Sequence, residues 1–168
     1  MEKSSGIQLF VTGGTFDKEY DEITGRLYFK DSHVSEMLKL GRCLLETQQR
    51  TLMMVDSLEM TSEDRECILK QCRSSPYSQI VITHGTDTMS ETARVLGEAK
   101  IPDKTIVLTG AMVPYKFGSS DGLFNLGSAL AFVQTLPPGV FVTMNGRALL
   151  WNNVFKDRRT GEFSGKED

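Results

Sequence analysis

Two stretches of the chain place hydroxyl and carboxylate side chains directly after runs of β-branched and other apolar residues. Ile7–Val11 is followed by Thr12-Gly13-Gly14-Thr15, and Gln79–Thr83 is followed by His84-Gly85-Thr86-Asp87. Each has the pattern of a strand ending in a tight loop, and ligands bind at the carboxyl ends of strands in open α/β sheets. Glycines let such loops turn tightly and expose N–H groups beside a hydroxyl, as stabilisation of an oxyanion requires.

These residue types also have simpler interpretations. Two glycines after a strand commonly make only a tight connection to a helix, and Asp87 has the position of a helix N-cap. The G-x-G-x-x-G dinucleotide fingerprint is absent. His84 is interpreted as a hydrogen-bonded structural histidine, because the only other histidine is His33 and no metal-ligand pattern exists. We therefore expect no metal and no cofactor, and a threonine nucleophile would need a base other than histidine, such as a desolvated lysine.

Five short apolar runs predict the strands that would position these loops, near residues 7–11, 51–55, 79–83, 105–109 and 140–144. Helical patterns alternate with them, at Ser32–Leu40, after the capping box Thr61-Ser62-Glu63-Asp64, at Met89–Ala99 and at Asp121–Leu136. The alternation predicts an α/β fold: a single three-layer domain with a mostly parallel sheet, Rossmann-like or flavodoxin-like, whose strands are buried on both faces. All five strand ends would then converge at one edge.

Two longer irregular stretches flank that edge, at residues 16–31 and 113–120. A long polar loop beside a ligand edge is either a lid or a solvated surface connection, and composition leaves both open. After Asn145 the pattern contains no further strand–helix unit, and the tail carries Trp151, Lys156 and Phe163.

Composition restricts the class of protein. The chain has 168 residues, of which 39% are hydrophobic and 24% charged, as expected for one globular domain. A net charge of −3 argues against nucleic acid or an anionic membrane as a partner, and no stretch approaches the length of a membrane span. The first residues lack the apolar core of a signal peptide, and Cys43, Cys67 and Cys72 have no ligand-like spacing. We expect a cytoplasmic protein with reduced thiols.

Several motifs together resemble the signature of the bacterial-type L-asparaginase/glutaminase family. They are TGGT at 12–15, DSLEM at 56–60, HGTDTM at 84–89 with ETA at 91–93, GAMVP at 110–114, SDG at 120–122 and FNL at 124–126. They occur in the family's order over the whole chain, and TGGT combined with HGTDTM is highly specific. The resemblance implies the fold of the asparaginase N-terminal domain over residues 1–168, with the family's C-terminal domain absent.

The resemblance also implies catalytic roles. Thr15 looks like the nucleophile that attacks a side-chain amide. Thr86, Asp87 and Lys156 look like a second catalytic triad, although spacing alone would not single out Lys156 among the lysines. Tyr28, or failing it Tyr20, looks like a lid tyrosine beside Thr15.

A binding site for the substrate is implied as well. Ser57 and Asp87 look like contacts to the amino-acid head group, and the remaining residues expected to line the site are Gly14, Gly85, Leu58 and Ala111. Leu58 stands where the family usually has glutamine, so recognition of an α-amino acid is expected to be weaker. Phe16 replaces the usual aliphatic residue after TGGT.

The expected function is that of an amidohydrolase, which would hydrolyse asparagine or a related small amide to the acid and ammonia through a threonine acyl-enzyme. The alternative is a non-catalytic or regulatory module that binds an amino acid or its amide. A nucleotide-binding function would follow from the fold alone and lacks a phosphate fingerprint. Since the family's sites lie at subunit contacts, a homodimer or homotetramer is expected. Trp151 and Phe163 are candidate interface anchors unless Trp151 packs on its own domain.

Overall fold

The computed structural model describes residues 4–166. Its strands are β1 Ser4–Gly13, β2 Lys18–Asp21, β3 Arg26–Phe29, β4 Thr47–Val55, β5 Tyr77–Thr83, β6 Thr105–Thr109, β7 Gly139–Met144, β8 Arg147–Leu150, β9 Phe155–Lys156 and β10 Phe163–Ser164. Its α-helices are α1 Val34–Leu40, α2 Ser62–Ser74, α3 Met89–Glu98 and α4 Gly122–Thr135, and short 3₁₀ turns occupy Thr15–Asp17 and Tyr115–Phe117.

Six strands form the main sheet, in the order β4-β1-β5-β6-β7-β8. The first five are parallel to their neighbours, and β8 runs antiparallel to β7. Numbered along the chain, the parallel strands have the order 2-1-3-4-5, which is the flavodoxin-like arrangement. The predicted α/β fold is therefore confirmed. The strand order reverses between β1 and β5, so the topological switch point lies between the loops that follow these two strands.

Helices cover both faces of the sheet and give two cores. On one face, α2 and α3 bury side chains such as Ile68 and Leu96 against Ile80 and Ile106. On the other face, α1 and α4 bury Met37, Leu126 and their neighbours against the alternate residues of the same strands. Because successive strand residues point to opposite faces, a strand covered on both sides is buried throughout, as β6 is.

The edge strand β4 departs from the prediction of strands buried on both faces. None of its nine residues is fully buried, since it pairs only with β1. Its more polar first half, Thr47–Arg50, is why the apolar run indicated only residues 51–55 as strand.

The stretch 16–31 was predicted to be irregular, and this is wrong. After the 3₁₀ turn, β2 and β3 form an antiparallel hairpin in which Tyr20 lies opposite Leu27 and Glu19 lies opposite Tyr28. We call β2–β3 the hairpin. Its strands have four residues each, and none of these residues is fully buried, so they carry little of the hydrophobic alternation by which a strand is recognised.

The tail contains short strands that the pattern did not indicate, and the two aromatic residues that were candidate anchors, Trp151 and Phe163, pack on their own domain. Phe163 in β10 is only 2% exposed and belongs to the core. Trp151 packs on α3 so closely that a Cβ atom on Gly97 would lie 2.2 Å from its ring. The expectation that Trp151 and Phe163 anchor a subunit interface is therefore wrong, because both side chains contact their own domain.

The predicted capping box at the start of α2 is confirmed. The Thr61 hydroxyl accepts the Asp64 N–H at 3.2 Å, and the Asp64 carboxylate accepts the Thr61 N–H at 2.9 Å. The N-cap of α3 is Thr88, so the interpretation of Asp87 as an N-cap is wrong. All three cysteines are free, and no helix within residues 4–166 is long and apolar enough to cross a membrane.

Candidate active site

Four glycine-containing or serine-containing loops pack backbone to backbone at the switch point. A Cβ atom on Gly14 would lie 2.3 Å from the Gly85 nitrogen, and one on Gly85 would lie 2.5 Å from the Ser57 side chain. A Cβ atom on Gly110 would lie 2.4 Å from the His84 carbonyl oxygen. Gly14 also has a φ of 78°, a conformation that side chains disfavour. The glycines therefore allow the strand ends to meet at a spacing that no larger residue permits.

Thr15 begins the 3₁₀ turn that follows β1. The next residue, Phe16, is fully buried in the core and fixes this turn to the domain. The Thr15 side chain is part-exposed, and its hydroxyl has no hydrogen-bond partner within residues 4–166. A hydroxyl held on an anchored turn, next to the Gly14–Gly85 contact and free of protein partners, is available to a ligand.

Thr86, Asp87 and Lys156 come together although Lys156 is about seventy residues away along the chain. The Lys156 Nζ donates to Thr86 Oγ1 at 2.9 Å and to Asp87 Oδ1 at 2.8 Å. Its side chain is only 12% exposed, whereas that of Asp87 is 42% exposed. Asp87 therefore orients the Lys156 nitrogen at the edge of the cleft, and Thr86 is the partner on the buried side.

The tail positions Lys156 through the β9–β10 pair. Lys156 lies opposite Phe163, whose side chain is fixed in the core and whose N–H donates to Asn145 Oδ1 at 2.9 Å. The turn between these strands packs Gly161 against Met112, and the Met112 sulfur lies 3.5 Å from the Thr86 hydroxyl as its acceptor. The loop after β6 and the tail thus enclose Thr86 from two sides.

Ser57 is nearly fully buried against Gly85, but the neighbouring Leu58 side chain is 67% exposed. The Leu58 N–H donates to Asp56 Oδ1 at 3.0 Å, and Lys18 from the hairpin forms an ion pair with the other oxygen of Asp56. Burial raises the pKa of Asp56, but the hydrogen bonds from Lys18 and Leu58 outweigh it, so the pKa is lowered overall. Ala111 is fully buried in the core, which leaves only its backbone to face a ligand.

The two candidate lid tyrosines lie on different faces of the hairpin. The Tyr28 hydroxyl donates to Glu19 at 3.3 Å, and the other Glu19 oxygen lies 3.2 Å from the His33 ring. Tyr20 alternates with Glu19 along β2, is 55% exposed, and lines an open cavity with Phe117. No contact joins either hydroxyl to Thr15 within residues 4–166, so the identity of the lid tyrosine stays a prediction.

Beneath these loops lies a buried polar network that the sequence analysis missed. His84 Nδ1 lies 2.8 Å from the Gly85 carbonyl oxygen, so this nitrogen must carry the proton, and Nε2 accepts the Thr92 hydroxyl at 2.7 Å. Burial lowers the pKa of His84 to about 4, the Gly85 hydrogen bond opposes this, and the cation of Arg65 adds to it. The interpretation of His84 as a hydrogen-bonded structural histidine agrees with this geometry. Arg65 donates to Thr92 at 3.2 Å.

A recognisable signal for Arg65 was present in the sequence. The buried residues of α2 are Arg65, Ile68, Leu69 and Cys72, which have the i, i+3, i+4, i+7 spacing of one helical face. An arginine on the apolar stripe requires buried partners. The next helix repeats the pattern, with Thr92 on the buried stripe of α3.

Asp17 is a second buried group that was not anticipated. Its Oδ1 accepts the His33 N–H at 2.8 Å, whereas its Oδ2 has no hydrogen-bond partner within the described chain. Burial raises the pKa of Asp17 to about 6, partly opposed by hydrogen bonds from His33 and Ser32. Asp17 lies two residues after Thr15, so an incompletely satisfied carboxyl group lies in the same turn as the candidate nucleophile.

Metal ligands are not gathered anywhere in residues 4–166: no three His, Cys, Asp or Glu side chains lie close enough together to hold an ion.

Comparison with known proteins agrees with this geometry. The family model described as the N-terminal domain of asparaginase matches residues 6–162. L-asparaginase of Thermococcus kodakarensis is 30% identical over 156 residues, which are 89% of this chain and 47% of the relative. Glutaminase-asparaginase of Pseudomonas fluorescens biotype A is 46% identical over 86 residues, 49% of this chain and 24% of the relative. The solved structure of a probable cytoplasmic L-asparaginase from Campylobacter jejuni superposes with a TM-score of 0.79 at 31% identity, covering 96% of this chain and 53% of that one.

The matched region, the switch-point site and the flavodoxin-like order together define the class: the chain belongs to the asparaginase family and corresponds to its N-terminal domain. It spans about half the length of the curated relatives that it matches over most of its own length.

Proposed function

We propose that the protein is an amidohydrolase that converts the side-chain amide of asparagine, or of a related small amide, to the acid and ammonia through a threonine acyl-enzyme. The observation that carries this proposal is the contact of Lys156 with both Thr86 and Asp87, together with a Thr15 hydroxyl that has no hydrogen-bond partner among the described residues. The family membership supports the same reaction class.

In this mechanism the Thr15 oxygen attacks the amide carbon, and a C–O bond forms while the hydroxyl proton passes to the Thr86–Lys156 pair. The C–N bond then breaks, and the departing nitrogen takes this proton back from the Thr86–Lys156 pair and leaves as ammonia. Water hydrolyses the resulting Thr15 ester and regenerates the hydroxyl. The glycine-rich strand ends provide backbone N–H groups close to the reaction centre, where a developing oxyanion needs donors.

Substrate binding would use the loop after β4. Ser57 lies against Gly85, so a head group bound by Ser57 and Asp87 would extend toward the two threonines. The site is open on the hairpin side, where Met112 and Phe117 are exposed. We infer a homodimer or homotetramer, in the cytoplasm, in which a second subunit covers this opening. A module that binds an amino acid or its amide without turnover is the second candidate.

Ammonia release from a panel of asparagine, glutamine and small amides without an α-amino group tests the proposal. Thr15→Ala is expected to lower kcat at least about a hundredfold without unfolding the protein, since a part-exposed hydroxyl contributes little packing. Thr135→Ala is the matched control, because its hydroxyl bonds only carbonyls of its own helix and is exposed. Turnover by Thr15→Ala within tenfold of the parent would refute the nucleophile. Saturable amide binding without any ammonia would support the binding module instead.

A further inference from the structure

We propose that Arg65 is a positioning residue, which sets the spacing between the loop that carries Ser57 and the loop that carries Gly85, Thr86 and Asp87. This inference rests on the proposed function, since it assigns head-group binding to the first loop and the chemistry to the second. Arg65 lies on α2 beneath both loops and is only 9% exposed.

The contacts on the first side fix the Ser57 loop at both of its ends. Arg65 Nη1 donates to the Met60 carbonyl oxygen at 2.9 Å and, more weakly, to that of Thr61 at 3.4 Å. Arg65 Nη2 donates to the Thr88 hydroxyl at 2.9 Å, and this hydroxyl in turn donates a hydrogen bond to the Ser57 carbonyl oxygen at 2.8 Å. One guanidinium group thereby holds the loop directly at its end and through Thr88 at its beginning.

The contacts on the second side reach the loop after β5. Arg65 Nε donates to the Thr92 hydroxyl at 3.2 Å, which donates to His84 Nε2 at 2.7 Å. The opposite nitrogen of His84 donates to the Gly85 carbonyl oxygen at 2.8 Å. This chain of donors ends one residue before Thr86, and it requires His84 to be neutral with its proton on Nδ1.

The shape of the guanidinium group explains why an arginine occupies this position. Arginine has five N–H donors in a fixed plane, and its three nitrogens here donate to four acceptors: Thr92, the carbonyl groups of Met60 and Thr61, and Thr88. Glu91 adds an ion pair at 3.2 Å. A lysine ammonium is a single point with three donors, so it cannot span the same partners. Because the two loops touch at Gly85 and Ser57 without room for a Cβ atom, a small displacement of either alters the site.

The kinetic test uses the full chain with Arg65→Lys and Arg65→Met. Each is expected to raise KM about tenfold or more, since the head-group loop loses both of its anchors, whereas kcat should fall by a smaller factor, since the second loop keeps the contact of Thr86 with Lys156. Thr88→Val is expected to reproduce most of the KM effect, and Arg65→Lys combined with Thr88→Val should be little worse than Arg65→Lys alone. Arg50→Met is the matched control, because Arg50 also joins the sheet to α2, through Gln71, but lies outside the site.

A second readout does not depend on turnover. The rate of amide hydrogen exchange is expected to rise in both loops, residues 56–61 and 84–88, in Arg65→Lys but not in Arg50→Met. In Arg65→Lys the ¹⁵N chemical shifts of the His84 ring should also no longer be those of the pure Nδ1–H tautomer. These results with an inactive parent would refute the proposed function and keep the positioning role. An active parent whose KM and loop exchange are unchanged in Arg65→Lys and Thr88→Val would overturn the positioning role and keep the function. A fall in kcat as large as the rise in KM, together with a lowered Tm, would also overturn the positioning role, since this result would indicate only general destabilisation.

Discussion

The floor of the site and the hairpin above it are built differently. The floor consists of the loops after β4 and β5 with Arg65, His84 and Thr92 below them, and each of these three polar side chains is buried and hydrogen-bonded. No residue of the hairpin strands is fully buried, and the Lys18–Asp56 ion pair and the contact between His33 and Glu19 lie at the margins of the hairpin. At its base Asp17 buries a carboxyl oxygen without a partner.

This difference has a physical consequence for the site. A buried and fully satisfied network has one favourable arrangement, since any displacement leaves a polar group unpaired at a cost of about 1–3 kcal/mol per group. Partly exposed ion pairs contribute only about 0–1 kcal/mol and are screened by salt. The floor is therefore suited to hold groups for chemistry at fixed distances. The hairpin is suited to move relative to it.

The largest effect is expected where the tail meets the floor. Lys156→Met and Thr86→Ala should each lower kcat by about 10²–10⁴-fold, because the proposed mechanism assigns both residues to one proton-transfer unit. The double variant should be little worse than either single one. Lys166→Met is the control, since Lys166 is an exposed lysine of the same tail. Steady-state ammonia release measures all four proteins, and losses that multiply in the double variant would show that the two residues act independently.

The fold could be predicted from the sequence because most strands of the sheet are strongly apolar runs, as expected for strands that helices cover on both faces. Ile7–Val11 and Thr105–Thr109 are unmistakable in this respect, whereas β9 and β10 have two residues each and exist only because Phe163 packs into the core. The hairpin escaped prediction because its strands have only four residues each and none of these residues is fully buried, which leaves no clear hydrophobic alternation.

The site residues that lie in the loops directly after strands could be predicted from the sequence pattern, whereas those outside these loops could not. Thr15, Thr86 and Asp87 follow strands, so topology alone brings them to one edge. Lys156 reaches that edge through the β9–β10 pair, which no sequence spacing predicts, and only the family resemblance indicated it. Arg65 could have been found, because its place on the buried stripe of α2 conflicts with its charge.

The second prediction concerns stability, and it contrasts His84 in the floor with Asp17 at the base of the hairpin. Folding lowers the pKa of His84 from 6.5 to about 4, so the unfolded chain binds the extra proton and stability is lost as the pH falls from 6.5 toward 4. Folding raises the pKa of Asp17 from 3.8 to about 6, so the folded chain binds the extra proton and stability is lost as the pH rises through this range. Each contribution amounts to up to about 3 kcal/mol, and between pH 4 and 6 they oppose each other.

Removing one group at a time should reveal the opposing slopes. Relative to the parent, Asp17→Asn is expected to gain stability as the pH rises from 4 to 6, and His84→Gln is expected to lose stability over the same interval. Chemical denaturation at half-unit pH steps gives the unfolding free energies, and the double variant serves as control because it should regain a slope close to that of the parent. If both single variants keep the parental slope, neither group has the environment described here.

A smaller effect is expected for the ion pair that joins the two regions. Lys18→Met removes the contact between the hairpin and Asp56, and it should raise KM about fivefold with kcat nearly unchanged, since this partly exposed pair contributes about 1 kcal/mol. The parent's KM should rise toward that of the variant in high salt, whereas the KM of Lys18→Met should respond little. Lys30→Met, at the exposed end of the hairpin, is the control. A salt response that is equal in parent and variant would mean that the hairpin does not act on the site through this pair.

The smallest expected effect belongs to Leu58, at the seam between floor and hairpin. Its backbone is fixed by Asp56, while its side chain is 67% exposed and offers no polar partner to a head group bound at Ser57. Leu58→Gln supplies a donor and an acceptor from the same backbone position, so KM for asparagine should fall about threefold, as one solvent-accessible hydrogen bond of somewhat under 1 kcal/mol would produce. Leu58→Met, which changes shape without adding polarity, should leave KM unchanged. The comparison is made with asparagine and with an amide lacking the α-amino group, because only the former should respond. An equal response to both amides would place the new side chain outside head-group recognition, and the loop after β4 would then contribute Ser57 alone.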